Sequence, residues 1–131
     1  MKTVFFHGIT AGILAGLAAF VYNNVYSEAL VVDFSKVANT SGIIGSSIFG
    51  CVLASLGYHF FGKIVKSNTD VWFNALFLIL TFASCISPFS ATLPTDMASP
   101  ELFPGLTIPM HFFPILFWLA TKPLFSKVLE K

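Results

Sequence analysis

The sequence predicts an all-α fold, an integral membrane bundle of four transmembrane helices with both termini on the cytoplasmic side. Three observations predict it. First, 56% of the 131 residues are hydrophobic and only 10% charged, against about 25% charged in an average soluble domain. A domain of this length leaves much of its surface in water. So apolar a chain, with its sixteen phenylalanines, therefore needs lipid to cover it. Second, four segments reach the length of about 20 mostly apolar residues that a span requires. Third, the lysines fall on one side of those segments.

The first span covers 4–26. Its start, with Lys2, an apolar run and small residues near Ala18 and Ala19, resembles a signal peptide. The run is longer than a usual signal core, so it is expected to be retained. The second span covers 41–62, with Asn39 or Thr40 available to cap it. The third covers 71–90, with Thr69 or Asp70 at its start. The fourth covers 106–125, where Pro109 is expected to open the helix, Pro114 to kink it and Lys122–Pro123 to close it. Residues 1–131 read as a single transmembrane domain without internal repeat.

The connections carry their own signals. "KIVKSNTD" is short, so the second and third spans form an antiparallel pair. "SEALVVDFSKVANT" mixes apolar and charged residues and is expected to lie on the membrane surface. In "ATLPTDMASPELFPG", Ser99 and Pro100 predict a helical turn that Pro104 and Gly105 end. Lys2, Lys63, Lys66, Lys122, Lys127 and Lys131 share one side; the other holds only Lys36, with Glu28, Asp33, Asp96 and Glu101. Cytoplasmic sides carry such an excess of lysine.

In lipid, helices associate through close backbone contact. Gly8, Gly12 and Gly16 line one face of the first span, beside an Ala11–Ala15–Ala19 ladder. Gly42, Ser46 and Gly50 repeat the spacing in the second, beside Ser47, Cys51 and Ser55. These faces predict packing of the first two spans on each other, or on a second copy. The bulky third and fourth spans, with Trp72, Phe73, Phe77, Phe82, Phe112, Phe113, Phe117 and Trp118, are expected to cover the bundle and meet lipid.

Function, if a side chain carries it, should show as polarity inside the spans. Their centres contain no Asp, Glu or Arg, which argues against a proton-coupled exporter. A fluoride channel is excluded by its missing polar motifs. Uncharged polarity falls in two layers. His7, Tyr58, His59 and Asn74 form a cytoplasmic one. Two histidines without further donors are an incomplete metal set, so no cofactor is expected. The outer layer holds Tyr22, Asn23, Asn24, Tyr26, Ser84, Ser87 and His111. Pro88 and Pro114 each remove a helical donor, freeing the carbonyls of Ser84 and Met110. Asn23, Asn24, Ser84, Ser87 and His111 thus make a candidate polar pocket, or else surround two ordinary kinks.

Cys51 and Cys85 match no zinc or redox spacing. Neither a nucleophile elbow, a metalloprotease helix nor a phosphate loop occurs, so no enzyme is expected. A net charge of +1 without arginine excludes nucleic acid as a partner.

"GITAGILAGLAAFVYNNVY", "GIIGSSIFGCVLASLGYHF", the Ser87–Pro88 pair and "PMHFF" at Pro109–Phe113 resemble a family of small bacterial four-helix membrane proteins without assigned function. The resemblance covers most of the chain and implies a bacterial inner-membrane location. The leading expectation is a non-enzymatic subunit, accessory partner or homo-oligomer acting through helix packing in the lipid bilayer. The alternative is a small permease or a membrane protein that binds lipid or another hydrophobic ligand through the outer polar layer.

Overall fold

The computed structural model describes residues 2–129, with side chains through residue 125. In chain order these form α1 (Lys2–Leu30), α2 (Thr40–Ile64), α3 (Thr69–Ser84), the short α4 (Ser87–Ser90), a 3-10 turn at Pro100–Leu102 and α5 (Phe103–Leu129). No strand occurs among the described residues. Four helical stretches, Lys2–Leu30, Thr40–Ile64, Thr69–Ser90 and Pro100–Phe125, are long and apolar enough to cross a membrane. The long helices alternate in direction. One end of the bundle therefore carries the start of α1 and the tail of α5 (the terminal end). The opposite, loop end carries the α1–α2 and α3–α5 connections. The side chain of Lys127 and all of Lys131, used in the lysine argument, lie outside the described residues.

α1 is the central element. Of its most apolar window 44% is buried, against 22%, 17% and 22% for the other three. The cause is its small-residue faces. A Cβ at Gly12 would lie 2.6 Å from the Ile48 Cα, and one at Gly16 would lie 3.1 Å from the Ile44 Cα. At Gly8 it would collide with Ser55. Ala11, Ala15 and Ala19 are sealed on the inside. α1 makes its broadest contacts with α2 and then α5, whereas α2 touches α3 and α5 only slightly.

On α2, the surface that receives α1 is the Ser47–Cys51–Ser55 ladder with Ile44 and Ile48. Gly42, Ser46 and Gly50 are not part of it. Gly42 faces only its own cap, Asn39, and a Cβ at Gly50 would meet nothing within 4 Å. Ser46 is exposed and its hydroxyl donates to the Ile43 carbonyl.

The aromatic residues of α3 and α5 divide between core and surface, against the expectation that they uniformly meet lipid. Trp118 is fully buried and Phe73 nearly so, while Trp72 and Phe82 are exposed. Trp118 stacks among His7, Tyr58, Phe73 and Phe77, so it is the post around which the terminal half packs. Burial of a side chain this large dominates local packing energy.

The caps and breaks follow local chemistry. Asn39 caps α2, its Oδ1 accepting from the Gly42 N–H at 2.7 Å. α3 is preceded by Asn68 in the left-handed region, with no side-chain cap. Thr69 instead donates to the Val65 carbonyl and Asp70 turns outward to other partners. Ser99 is also left-handed and provides no side-chain cap. Pro104 and Gly105 do not end the turn there. The chain runs on into α5, whose first turn tolerates Pro104 because N–H groups there have no helical acceptor anyway.

The α1–α2 connection folds against the loop end of the bundle. Val31 adopts φ 55°, and the Val32 N–H closes on the Ser27 carbonyl at 3.0 Å, a helix-ending pattern that glycine usually provides. Val32 and Phe34 then enter a loop-end core with Phe103 and Leu106. Lys36 pairs with Asp96 at 2.5 Å across the two loops.

The α1–α2 contact gives a direct test. Gly12→Leu should lower stability by about 1–3 kcal/mol through overpacking. Gly50→Ala should be neutral or stabilise by up to roughly 1 kcal/mol through helix propensity. Thermal unfolding in a mild detergent reads both. Equal losses in the two variants would contradict this packing.

Candidate functional site

Of the polar residues of the loop half, Ser84 and His111 share a cavity wall, and Asn23, Asn24 and Ser87 line neither of the two cavities that His111 borders. Asn24 is exposed, and Asn23 is half-buried with an unpartnered Oδ1. Neither lines a cavity described below. Ser87 donates to the Ser84 carbonyl at 2.8 Å. That carbonyl is the one Pro88 deprives of a helical donor, so Ser87 completes the break between α3 and α4. The same logic holds in α5. Pro109 lies inside the helix and frees the Gly105 carbonyl, to which the Tyr22 hydroxyl donates at 3.0 Å. Tyr26 donates to the Leu102 carbonyl at 2.8 Å, and a Cβ at Gly105 would run into that ring.

Ser84 and His111 do meet, with Oγ 3.1 Å from Nδ1. The proton positions follow from the partners. Ser84 Oγ is only 2.7 Å from the Thr81 carbonyl. A carbonyl can only accept, so the hydroxyl proton lies on that bond. Ser84 Oγ then accepts at its contact with His111, and Nδ1 carries the imidazole proton. In the neutral ring Nε2 is therefore an unprotonated acceptor. Among the described residues no hydrogen bond reaches it.

His111 stands between two cavities. One is a groove of about 590 Å³ between α2 and α3, walled by Leu53, Phe60, Phe61, Leu76, Phe77 and Leu80, with Ser84, His111 and Pro114 at its loop end. The other is a recess of about 310 Å³ between α2 and α5, bounded by Asn39, Ser46, Ser47, Thr107, Met110, His111 and Pro114. His111 and Pro114 belong to both walls. Gly50 lines the groove, and Gly42 and Ser46 the recess. The α2 residues that do not pack on α1 thus border open space. No Asp, Glu, Lys or Arg lines either cavity among the described residues.

The terminal half is built differently. His7 is buried, with Nε2 3.0 Å from both the Trp118 carbonyl and Thr121 Oγ1. Thr121 gives its own proton to the Phe117 carbonyl, so His7 Nε2–H is shared between the two oxygens. The ring is thereby committed to α5 rather than to His59, which borders a separate apolar cavity of about 320 Å³ with Lys2 and Phe5. No group of three or more metal-ligating residues occurs among the described residues.

One cluster escaped the sequence reading. Tyr58 donates to Asp70 Oδ1, Lys122 Nζ lies 2.8 Å from the same oxygen, and the ammonium sits 4.8 Å from the Tyr58 ring centroid. It ties the start of α3 to α2 and α5 at the terminal end. Only the Tyr58–Asp70 spacing, across the short second connection, hinted at it. Compared with known families, curated proteins and solved structures, the chain matches none.

The proton assignment at His111 is open to measurement. In ¹⁵N spectra of histidine-labelled protein in micelles at neutral pH, His111 should show a protonated Nδ1 and an unprotonated Nε2. Ser84→Ala should shift that tautomer balance. The reverse tautomer in the unaltered protein would refute the assignment.

Proposed function

We propose that this chain is a non-enzymatic, multi-pass protein of the bacterial inner membrane, with both termini cytoplasmic, that binds a lipid-type hydrophobic ligand in the groove between α2 and α3. The observation that carries this reading is the groove itself. It is apolar along its length, its volume lies in the range of about 300–1,000 Å³ usual for ligand sites, and it ends on the Ser84–His111 pair. The lysine asymmetry supports the orientation. The sequence resemblance supports the location.

Helix packing as the activity itself has narrower support. The glycine face of α1 is spent on α2 of the same chain. A partner or second copy would have to use the open α2 edge at Gly45 and Gly50, where an added Cβ meets nothing within 4 Å.

Photolabelling in reconstituted vesicles separates the groove from ordinary lipid-facing surface. A long-chain hydrocarbon carrying a benzophenone should label Leu76 and Leu80 in the groove above Leu17 and Val21 on the exposed side of α1. Gly50→Phe, at a groove-lining position where an added Cβ meets nothing within 4 Å, should cut groove labelling about fivefold or more, a loss of about 1 kcal/mol in binding. Uniform labelling of all apolar faces, unchanged in Gly50→Phe, would remove the basis for this function.

A further inference from the structure

The recess, which shares the His111 and Pro114 wall with the groove, is bounded mostly by groups that accept hydrogen bonds. The Ser46 hydroxyl gives its proton to the Ile43 carbonyl at 3.2 Å, and Ser47 gives its proton to the same oxygen at 2.9 Å. Thr107 gives its proton to the Phe103 carbonyl at 3.0 Å. Each hydroxyl oxygen keeps lone pairs and no free proton. The Met110 carbonyl has lost its i+4 donor to Pro114, and no hydroxyl answers it as Tyr22 answers Gly105. His111 Nε2 is a further acceptor, by the argument given above. The Asn39 amide nitrogen is the exception, since its Oδ1 is used on Gly42.

An acceptor-lined cavity recognises a donor. An ammonium head would leave a full charge in a site without a carboxylate, which is costly. A head that only accepts, such as an ether, ester or quinone oxygen, would face lone pair against lone pair at His111 Nε2 and would have only the Asn39 amide as a side-chain donor among the described residues of the recess. A hydroxyl meets the requirement without charge. The adjoining groove adds the second half of the ligand, one apolar chain running along α2 and α3 from His111 toward Ile64.

We propose that the ligand is a single-chain lipid alcohol, its hydroxyl donating to His111 Nε2 at the junction and its chain lying in the groove. This rests on the groove being a ligand site. It adds the chemistry of the head and assigns His111 as the residue that selects it.

The test is competition against the benzophenone hydrocarbon by hexadecanol and by hexadecyl methyl ether, which differ in the donor alone. In the unaltered protein the alcohol should displace the probe about tenfold better than the ether, the worth of one net hydrogen bond. The alcohol-to-ether ratio should fall to about one in His111→Phe and recover in His111→Gln, which restores an acceptor. Equal competition by alcohol and ether in the unaltered protein would overturn the proposal while leaving the groove reading standing. So would a ratio that His111→Phe does not change. Failure of both competitors, with no groove-specific labelling to displace, would overturn both.

Discussion

The close approach of α1 to α2 determines where everything else goes. Glycine at positions 8, 12 and 16 brings the α1 backbone against Ser55, Ile48 and Ile44. Dispersion and close contact, rather than expulsion of water, are what join helices in an apolar medium, so the smoothest pair forms the tightest one. α5 then docks on α1 and seats Trp118 in the angle between them. α3 has no smooth face left to use. It is held from outside by Phe73 and Phe77 on Trp118, by Phe82 on Phe112 and by two polar ties. With α2 committed to α1, and α3 held to both α2 and α5 chiefly by the large aromatic side chains near its start, the space between α2 and α3 farther along stays unfilled. The groove is therefore a consequence of the helix pairing and not of any local feature of its own walls.

The prolines impose a second constraint. Each one inside a helix leaves a carbonyl without its ordinary donor, and in an apolar medium that carbonyl needs another. The chain provides hydroxyls at the right places, Tyr22 for Gly105 and Ser87 for Ser84. Most other side-chain hydroxyls bond back to a carbonyl three or four residues earlier, as Ser46, Ser47, Thr81, Thr107 and Thr121 do. Such back-bonding hides the donor and leaves the acceptor. The acceptor character of the recess thus has the same origin as the tolerance of hydroxyl side chains within the apolar helices. Serine and threonine in apolar helices become one-sided groups.

Composition and periodicity were enough to read four apolar helices, the short second connection, the Asn39 cap and the glycine face of α1. Those features depend on residues near one another in the chain, or on length alone. Which face of α2 receives α1 was not readable. Gly42–Ser46–Gly50 and Ser47–Cys51–Ser55 are equally small, and only the three-dimensional rotation of the helix chooses between them. The same limit applies to aromatic residues. Trp72 and Trp118 look alike in sequence, yet one is exposed and the other sealed. The proline arithmetic did identify the Ser84 and Met110 carbonyls. It could not show that Ser87 would answer one of them locally, nor that Asn23 and Asn24 would line neither cavity beside His111, because partners from different helices are set by packing. The Tyr58–Asp70–Lys122 cluster was hidden for the same reason.

The two ends of the bundle differ in how firmly α3 is held, and this bears on the groove. At the terminal end α3 is fixed by Phe73 against Trp118 and by Asp70, shared between Tyr58 and Lys122. Lys122 keeps 17% of its side chain exposed but Asp70 keeps 55%, so the pair is open to solvent on the carboxylate side and its worth stays near that of a surface ion pair, usually below about 1 kcal/mol; the Trp118 packing supplies most of the hold. At the loop end the helix breaks after Ser84; the Ser84–His111 hydrogen bond and the Phe82–Phe112 contact join it to α5, on which α4 packs with Pro88 buried. In the proposed reading the Ser84–His111 bond persists when a ligand is bound, because it keeps the imidazole proton on Nδ1 and leaves Nε2 to accept. The contact that ties α3 to α5 at the loop end is therefore also the one that sets which head the His111 wall can take.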